Sequence, residues 1–291
     1  MGFFSVLKSV FLSDQLNVAA RFDLEREAIS GTMSRFYLAK ERKTGNVYGL
    51  KIVDMKKLTE VEARFKGIVK PTEGEIALQL NDPLIVKTYE AGETTKGENY
   101  LLMEFLGGGG LNELIAKKSE LLETNALLYI RQMAKALQAV HNAGFIHRDI
   151  CPRNYICTTD RKAIKLTDFG LTVPAKPPFT SAGNRTGTPN YMAPELVRRK
   201  PTDQRLDVFS FGVTVYEMLT GGTLPWPVGK DGRAALTHDT PPVPITNLRP
   251  RINPMLAAAV HKCIEPDVTQ RFPSLNAFLQ QIRSVTSVDQ G

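Results

Sequence analysis

Three short motifs in a fixed order constrain this chain more than its composition does. They are His147-Arg148-Asp149, Asp168-Phe169-Gly170 and Ala193-Pro194-Glu195, with Asn154 between the first and the second. Aspartate and asparagine side chains offer the hard oxygen ligands that magnesium prefers. An aspartate can also accept the proton of a reacting hydroxyl group. The motifs therefore contain residue types that can serve as a general base or as magnesium ligands.

In their order and spacing, the motifs resemble those of eukaryotic-like protein kinases of the Ser/Thr type, with some similarity to bacterial members. The resemblance extends over roughly residues 20–285. It implies an α+β, bilobal protein-kinase fold, with an N-terminal extension at residues 1–20, a small β-rich N-lobe at residues 21–106 and a larger helical C-lobe at residues 107–291. It also implies transfer of the γ-phosphoryl group of ATP to Ser and Thr hydroxyls of protein substrates, the chain itself included.

The resemblance gives each polar residue of the site a role. Asp149 matches the aspartate that orients the substrate hydroxyl and accepts its proton. Asn154 and Asp168 match the two ligands of Mg²⁺. Lys51, flanked by apolar residues, matches the strand lysine that contacts the α- and β-phosphates of ATP.

A glutamate on a helix should pair with Lys51, and two glutamates compete for this role. A gapless kinase pattern counted back from Pro83 gives Glu73. Glu75 also fits, because Ile76 follows it directly. We expect Glu73, which places Ile76 and the apolar residues after it at positions typical of the family, and Glu75 remains the alternative.

Further residues are implied to surround the nucleotide, together with Lys51 and Glu73. They are Gly31, Phe36, Met103, Glu104, Leu106 and Ile156. Met103 would border the adenine pocket, and the backbone of Glu104 and Leu106 would bind the adenine edge. Residues 107–110 are four glycines, which cannot form a stable helix or strand, and are expected as the hinge between the lobes. Gly31 alone remains of the family's glycine-rich loop, so we expect a stiffer, bulkier loop that still admits ATP.

A second departure from the family lies two residues after Asp149. Ser/Thr kinases usually carry a lysine there, whereas this chain has Cys151, which we expect to be inert. Arg153 stands where many tyrosine kinases place an arginine, and either supplies the missing cation near the γ-phosphate or is a surface residue. Residues 187–195 resemble a Ser/Thr substrate-docking segment that would place Thr188 near Asp149. This segment favours Ser/Thr specificity.

Other matches to the family concern structure and regulation. Glu195 should pair with Arg271, and Asp207 should hold the loop that contains Asp149. Arg148 matches the arginine that binds a phosphorylated activation segment in related kinases. The candidate acceptors there are Thr180, Ser181 and Thr186, because the best-aligned position, Asn184, cannot be phosphorylated.

Hydrophobic periodicity predicts strands in the first part of the chain and helices in the rest. Strands are expected at residues 36–39, 48–53, 84–86 and 100–103, with a hairpin turn at residues 43–46. Helices are expected at residues 73–80, 127–140, 204–219, 254–263 and 275–285, and Gly144 should end the second of them.

Composition narrows the partners and the compartment. The net charge is +7, but the basic residues are scattered, with short clusters such as those at residues 56–57 and 198–200, which favours a solvated surface over nucleic-acid binding. Positive charge still suits ATP or acidic substrates. The three cysteines show no zinc or disulfide spacing, so we expect a reducing compartment, the cytoplasm. No apolar run reaches about 18 residues, which predicts no transmembrane segment.

Two rival functions and one N-terminal alternative remain. A pseudokinase is suggested by the poor glycine loop and Cys151, although Lys51, Asp149 and the magnesium ligands are intact. A small-molecule kinase would share the catalytic lobe, but residues 187–195 suit a peptide. The apolar stretch at residues 3–12 lacks a basic leader, so a short packed helix is expected rather than a signal peptide, with a membrane-surface or partner contact as the alternative.

Overall fold

The computed structural model describes residues 15–30, 34–56, 59, 68–183, 185–229, 238 and 240–290. Gly31, Asn184 and the apolar stretch at residues 3–12 lie outside these ranges. The chain divides into two compact units, one made of residues up to Gln79 with Val86–Phe105, the other of Leu80–Ile85 with Leu106–Gly291. In the described part of the chain, no helix is long and apolar enough to cross a membrane.

The first unit contains an antiparallel sheet of five strands in the order β1-β2-β3-β5-β4. The strands are β1 (Phe22–Ser30), β2 (Ser34–Glu41), β3 (Val47–Val53), β4 (Thr88–Glu93) and β5 (Asn99–Glu104). The predicted hairpin is confirmed, since β2 and β3 pair directly across a short turn. Gly45 in this turn takes a φ of 75°, which glycine adopts without steric cost.

The two faces of strand β3 carry different kinds of side chain. Leu50 and Ile52 belong to a buried cluster that also contains Leu16. Successive side chains of a strand point to opposite faces. Lys51 therefore points away from this cluster, toward the side on which helix α2 (Glu73–Gln79) supplies its partner; a shorter helix, α1, spans Val18–Arg21.

The chain before β1 closes the apolar cluster. The Leu16 N–H donates to the Glu93 carbonyl at 2.9 Å, and the Leu16 carbonyl accepts from the Thr95 N–H at 3.0 Å. Arg21, at the end of α1, donates to Glu41 at 2.8 Å and to Glu90 at 2.9 Å. These bonds fix the segment against two strands of the sheet, β2 and β4.

Helices dominate the second unit. They are α3 (Leu111–Ala116), α4 (Glu120–Asn142), α5 (Pro194–Val197), α6 (Arg205–Leu219), α7 (Ile245–Leu248), α8 (Pro254–Cys263) and α9 (Leu275–Gln281). Helix α6 is buried along almost its whole length, as its nearly continuous apolar sequence predicts. Gly144, with a φ of 84°, follows the end of α4 as expected.

Two short ladders hold the polar loops of this unit. Strand β6 (Phe145–Ile146) pairs with β9 (Val173–Pro174), and β7 (Tyr155–Cys157) pairs with β8 (Ile164–Leu166). Residues 147–154 join β6 to β7, and residues 167–172 join β8 to β9. The pairing therefore brings the two loops side by side, and the Thr167 N–H donates to the Asn154 carbonyl at 2.9 Å. Strands of two or three residues are too short for periodicity to predict them.

The strand predicted at residues 84–86 is wrong. Asp82 accepts hydrogen bonds from the Leu84 and Ile85 N–H groups at 2.8 and 3.0 Å, so these residues form a turn. Ile85 makes only an isolated bridge, to Leu166, and is almost fully buried. A short run of buried apolar residues looks like a strand in sequence although here it is a packed turn.

The predicted pair of Glu195 and Arg271 is confirmed. The guanidinium binds both carboxylate oxygens, at 2.6 and 2.7 Å, and both residues are buried. Arg271 also donates to the carbonyls of Glu265 and Pro266, and to that of Arg205. Every guanidinium N–H thus has a partner, which is what a buried charge requires.

Replacing Arg271 with methionine should leave the buried Glu195 carboxylate without a charged partner. We expect Arg271→Met to lower the free energy of unfolding in urea by about 3–5 kcal/mol. Glu195→Leu/Arg271→Met should recover part of that loss, because it leaves no uncompensated charge. The control is Arg283→Met, at an exposed arginine, with an expected change within about 0.5 kcal/mol. A loss below about 1 kcal/mol for Arg271→Met would contradict a stabilising pair.

Candidate active site

A buried carboxylate on helix α6 organises the loop at residues 147–154. Asp207 accepts hydrogen bonds from the backbone N–H groups of His147 and Arg148, both at 2.8 Å, and from His141 Nε2 at 2.9 Å. Burial alone would raise the pKa of this carboxyl, but the hydrogen bond and charge of His141 and the backbone N–H groups hold the pKa below its ordinary value. Asp207 therefore stays ionised and fixes the start of the loop, as the sequence predicts.

The backbone conformation and the burial of Arg148 are both energetically unfavourable. Its φ is 69°, in the left-handed region that a non-glycine residue rarely adopts, and its side chain is buried. Its Nε and Nη1 atoms have no hydrogen-bond partner among the described residues. Burial lowers the pKa of the guanidinium to about 10, against the attraction of Asp207, so Arg148 is still charged at neutral pH. A buried cation with unused donors suits an anionic group, in keeping with the role expected from the sequence.

Asp149 lies between Thr188 and Asn154. Its Oδ1 accepts two hydrogen bonds from Thr188, from the backbone N–H at 2.8 Å and from the hydroxyl at 2.7 Å. Asn154 Nδ2 donates to the Asp149 carbonyl at 2.6 Å and lies 3.3 Å from Oδ2. The carboxylate is thus held in one orientation, with Oδ2 less engaged than Oδ1.

Cys151 and Arg153 approach the same hydroxyl. The Cys151 Sγ lies 3.9 Å from Thr188 Oγ1, and Arg153 Nη2 lies 3.2 Å from that atom. Burial, and after it the charge of Asp149, raise the pKa of the Cys151 thiol to about 11, so the thiol is neutral at pH 7. Arg153 is exposed and charged. The cation beside the hydroxyl bound to Asp149 therefore comes from Arg153.

Asn154 and Asp168 offer oxygens that fit a magnesium ion. The Asn154 nitrogen donates to Asp149, so its oxygen is the atom left to bind a cation. Asp168 takes a left-handed φ of 66°, a strained conformation of the kind that clusters at functional sites. No group of three His, Cys, Asp or Glu side chains that could hold a metal occurs among the described residues. Mg²⁺ commonly uses one or two protein oxygens and completes its shell with water and phosphate.

In the first unit, Lys51 pairs with Glu73 and not with Glu75. Lys51 Nζ lies 2.6 Å from Glu73 Oε1, and both side chains are nearly buried. Glu75 instead accepts from the Thr72 N–H at 2.7 Å, while the Thr72 hydroxyl accepts from the Glu75 N–H at 3.2 Å. This reciprocal pattern is a capping box. The sequence carried its signal, a threonine three residues before a glutamate at a helix start, and our sequence reasoning missed it.

Phe36, Gly49 and Met103 share one surface of the sheet. A Cβ atom added to Gly49 would lie 2.6 Å from Phe36 Cζ and 3.2 Å from Met103 Cγ. The phenyl ring thus occupies the space that a side chain at position 49 would need. Sequence reasoning missed Gly49, although a glycine inside a predicted strand often marks a close approach.

The other residues expected around a nucleotide come from different parts of the chain. The Glu104 N–H donates to the Lys87 carbonyl at 2.9 Å, so a ligand would have to meet the Glu104 carbonyl. Leu106 directly precedes the glycine run, and the half-buried Ile156 lies in β7. Gly31 lies outside the described residues. These assignments stay predictions.

The chain is similar in sequence to known protein kinases. The family model described as "Protein kinase domain" matches residues 24–282. Ribosomal protein S6 kinase alpha-3 of Homo sapiens is 35% identical over 218 residues, which are 75% of this chain and 29% of that protein. Ribosomal protein S6 kinase alpha-6 of Mus musculus is 36% identical over 213 residues, 73% of this chain and 27% of that protein.

A bacterial relative covers more of the chain. A protein of Clostridium acetobutylicum named "Probable serine/threonine-protein kinase" is 30% identical over 267 residues, 91% of this chain and 40% of that protein. The chain thus spans less than half the length of the curated relatives it matches.

Proposed function

Because the chain belongs to the protein kinase domain family, in the eukaryotic-like Ser/Thr superfamily that its motifs resemble, we propose that it is a Ser/Thr protein kinase. It would transfer the γ-phosphoryl group of ATP, with Mg²⁺, to hydroxyls of proteins, its own included. The observation that supports this most directly is the Asp149 carboxylate, held by Thr188 on one side and Asn154 on the other. The family match also confirms the predicted α+β kinase fold.

Asp149 is the proposed general base. Its Oδ1 is occupied by two hydrogen bonds from Thr188, so the substrate hydroxyl would donate to Oδ2. Asp149 orients that hydroxyl and takes its proton as the oxygen attacks the phosphorus. Asn154 limits rotation of the carboxylate, because its Nδ2 lies 3.3 Å from Oδ2 of Asp149.

The remaining polar residues would position and neutralise phosphate. When bound, Mg²⁺ would offset charge on the phosphate oxygens, and Asn154 and Asp168 are the residues that would hold it. Lys51, oriented by Glu73, would bind the α- and β-phosphates. Arg153 would add a cation where charge develops on the transferred group, in place of the lysine that Cys151 replaces. We also propose that the bound nucleotide is contacted by the residues identified from the sequence, which are Gly31, Phe36, Met103, Glu104, Leu106 and Ile156.

Ser/Thr hydroxyls of proteins are the proposed acceptors. Thr188, within the segment at residues 187–195, binds Asp149 through both its N–H and its hydroxyl, as the resemblance to Ser/Thr kinases implies. The three cysteines are free thiols and buried, which suits a reducing compartment, and we propose the cytoplasm. The pseudokinase remains the rival, motivated by Cys151 and the poor glycine loop, and turnover decides between the two.

Asp149→Asn should abolish most phosphoryl transfer and spare nucleotide binding, because the base acts on the hydroxyl and not on ATP. We expect kcat to fall by about 10²–10⁴-fold in a radiolabelled ATP assay with Mg²⁺, on protein substrates and on the chain itself. The matched control is Asp160→Asn, an exposed carboxylate bonded only to its own turn. If the wild type is active and Asp149→Asn is equally active, Asp149 has no role in catalysis. No turnover by the wild type, with nucleotide bound, would establish the pseudokinase.

Glu73→Gln should lower kcat/KM by about 10- to 100-fold, because the Lys51 ammonium loses its charged hydrogen-bond partner. Glu75→Gln is the matched control, since glutamine also completes a capping box. We expect that variant to stay within about twofold of the wild type. Equal losses for both glutamates, or a loss for Glu75→Gln alone, would contradict the pairing of Lys51 with Glu73.

Arg153→Ala should lower kcat/KM by about 10- to 150-fold, by loss of one charged donor near the transferred group. Cys151→Lys should restore much of that loss in the double variant, because a lysine there has the reach usual in the family. In the wild-type background the same lysine should change little. A double-mutant cycle measures the coupling. Full activity of Arg153→Ala, or simple additivity, would show that Arg153 does not replace the missing lysine.

A further inference from the structure

The segment from residue 171 to residue 202 presents charge of one sign. Its acidic residue is Glu195 alone, against five basic ones: Lys176, Arg185, Arg198, Arg199 and Lys200. Glu195 is buried and bound at both oxygens by Arg271, so it adds no negative charge to the surface. The exposed charge of this segment is therefore positive.

Backbone hydrogen bonds bring two parts of the segment together. The Gly183 N–H donates to the Arg199 carbonyl at 3.1 Å, and the Thr202 N–H donates to the Thr180 carbonyl at 2.9 Å. These bonds place residues 180–183 beside residues 199–202. Arg185 lies two residues after Gly183 and Lys200 directly follows Arg199, so the two cations extend from neighbouring backbone segments.

Three of these side chains are available to a partner. Arg185, Arg199 and Lys200 are exposed, and no carboxylate among the described residues pairs with them. The nearest acidic residue in sequence, Asp203, is bound by Arg205 at 2.6 Å. We call these three residues the basic surface.

The basic surface is tied to the place where the acceptor hydroxyl would sit. Arg185 is two residues before Gly187, whose Cα packs against the Arg148 carbonyl so closely that an added Cβ would lie 2.7 Å from it. Thr188 follows and binds Asp149. On the other side, the Lys200 N–H donates to the Glu195 carbonyl at 2.8 Å. The cations thus lie on both sides, in sequence, of the residue that binds Asp149.

We propose that the basic surface selects protein substrates with acidic residues close to the acceptor Ser or Thr. The inference rests on the proposed kinase function and adds to it a substrate class. Complementary charge at a solvated surface contributes modestly per contact, is weakened by salt, and acts on selectivity and encounter rate. Three cations on one stretch of surface are expected to favour acidic over neutral peptides by about tenfold in kcat/KM.

The test uses peptides that differ only in charge. Each carries a single serine, with Glu, Gln or Lys at the flanking positions, and kcat/KM is measured for each with the full chain. We expect the wild type to prefer Glu over Gln by about tenfold and Gln over Lys, and the preference to shrink as NaCl rises from about 50 to about 500 mM. The ratio between peptides is taken within one enzyme, so a general loss of activity cancels.

The chain offers a matched pair of variants. Arg199→Gln/Lys200→Gln should reduce the Glu-to-Gln ratio to about threefold or less, and addition of Arg185→Gln should bring it near one. The control is Arg161→Gln/Lys162→Gln, another exposed Arg-Lys pair. Arg161 has a φ of 58° against 56° for Arg199, and its carbonyl also accepts a hydrogen bond. This control removes the same charge from a similar backbone and should keep the wild-type ratio.

The following outcomes would contradict the inference. A wild type that prefers Lys or shows no preference, or a control that loses the preference as fully as the double variant, removes the basic surface from substrate selection. Binding of labelled single-stranded RNA that Arg199→Gln/Lys200→Gln abolishes, without a peptide preference, would assign the surface to nucleic acid. If no peptide is phosphorylated and Asp149→Asn equals the wild type in autophosphorylation, the proposed function fails as well. Equal phosphorylation of all peptides refutes the substrate class alone.

Discussion

The geometry of the candidate site depends on one buried charge, the carboxylate of Asp207. A buried carboxylate must be satisfied by donors, because desolvation without partners costs several kcal/mol. The donors here are the backbone N–H groups of His147 and Arg148 together with the ring of His141. To donate its N–H to Asp207, Arg148 adopts a left-handed conformation, which fixes the direction in which the chain continues. Asp149 follows directly, so the position of the proposed base depends on the hydrogen bonds of Asp207, which takes no part in the chemistry.

Local signals in the sequence predicted the long helices, and they failed where the structure depends on burial. The helix expected at residues 254–263 has those bounds in the structure, because a proline and a regular apolar period mark it. Residues 84–86 have the composition of a strand, yet they are apolar because they are buried in a turn. The family spacing favoured Glu73, which the structure confirms, but left Glu75 open, although the two lie about 200° apart around a helix. The capping box chooses, since a Glu75 bound to Thr72 is turned toward the helix start.

Two pairs of neighbouring residues depend on each other. Phe36 packs against Gly49, and the glycine leaves room for the ring. Cys151 removes a cation, and Arg153 reaches the hydroxyl that also contacts the cysteine. The first pair is coupled by packing and the second through the hydroxyl of Thr188. Changes to both members of such a pair are therefore not expected to add simply.

Packing in the interior also decides the sign of the charge at the surface. Glu195 begins a short helix and could have offset the basic residues around it. Arg271 instead binds it at both oxygens and is itself held by three backbone carbonyls, so the carboxylate is fixed inside. A buried and neutralised pair contributes little field outside the protein, whereas exposed cations contribute until salt screens them. The segment that contains Thr188 is therefore electropositive, because its single carboxylate is held in a buried ion pair.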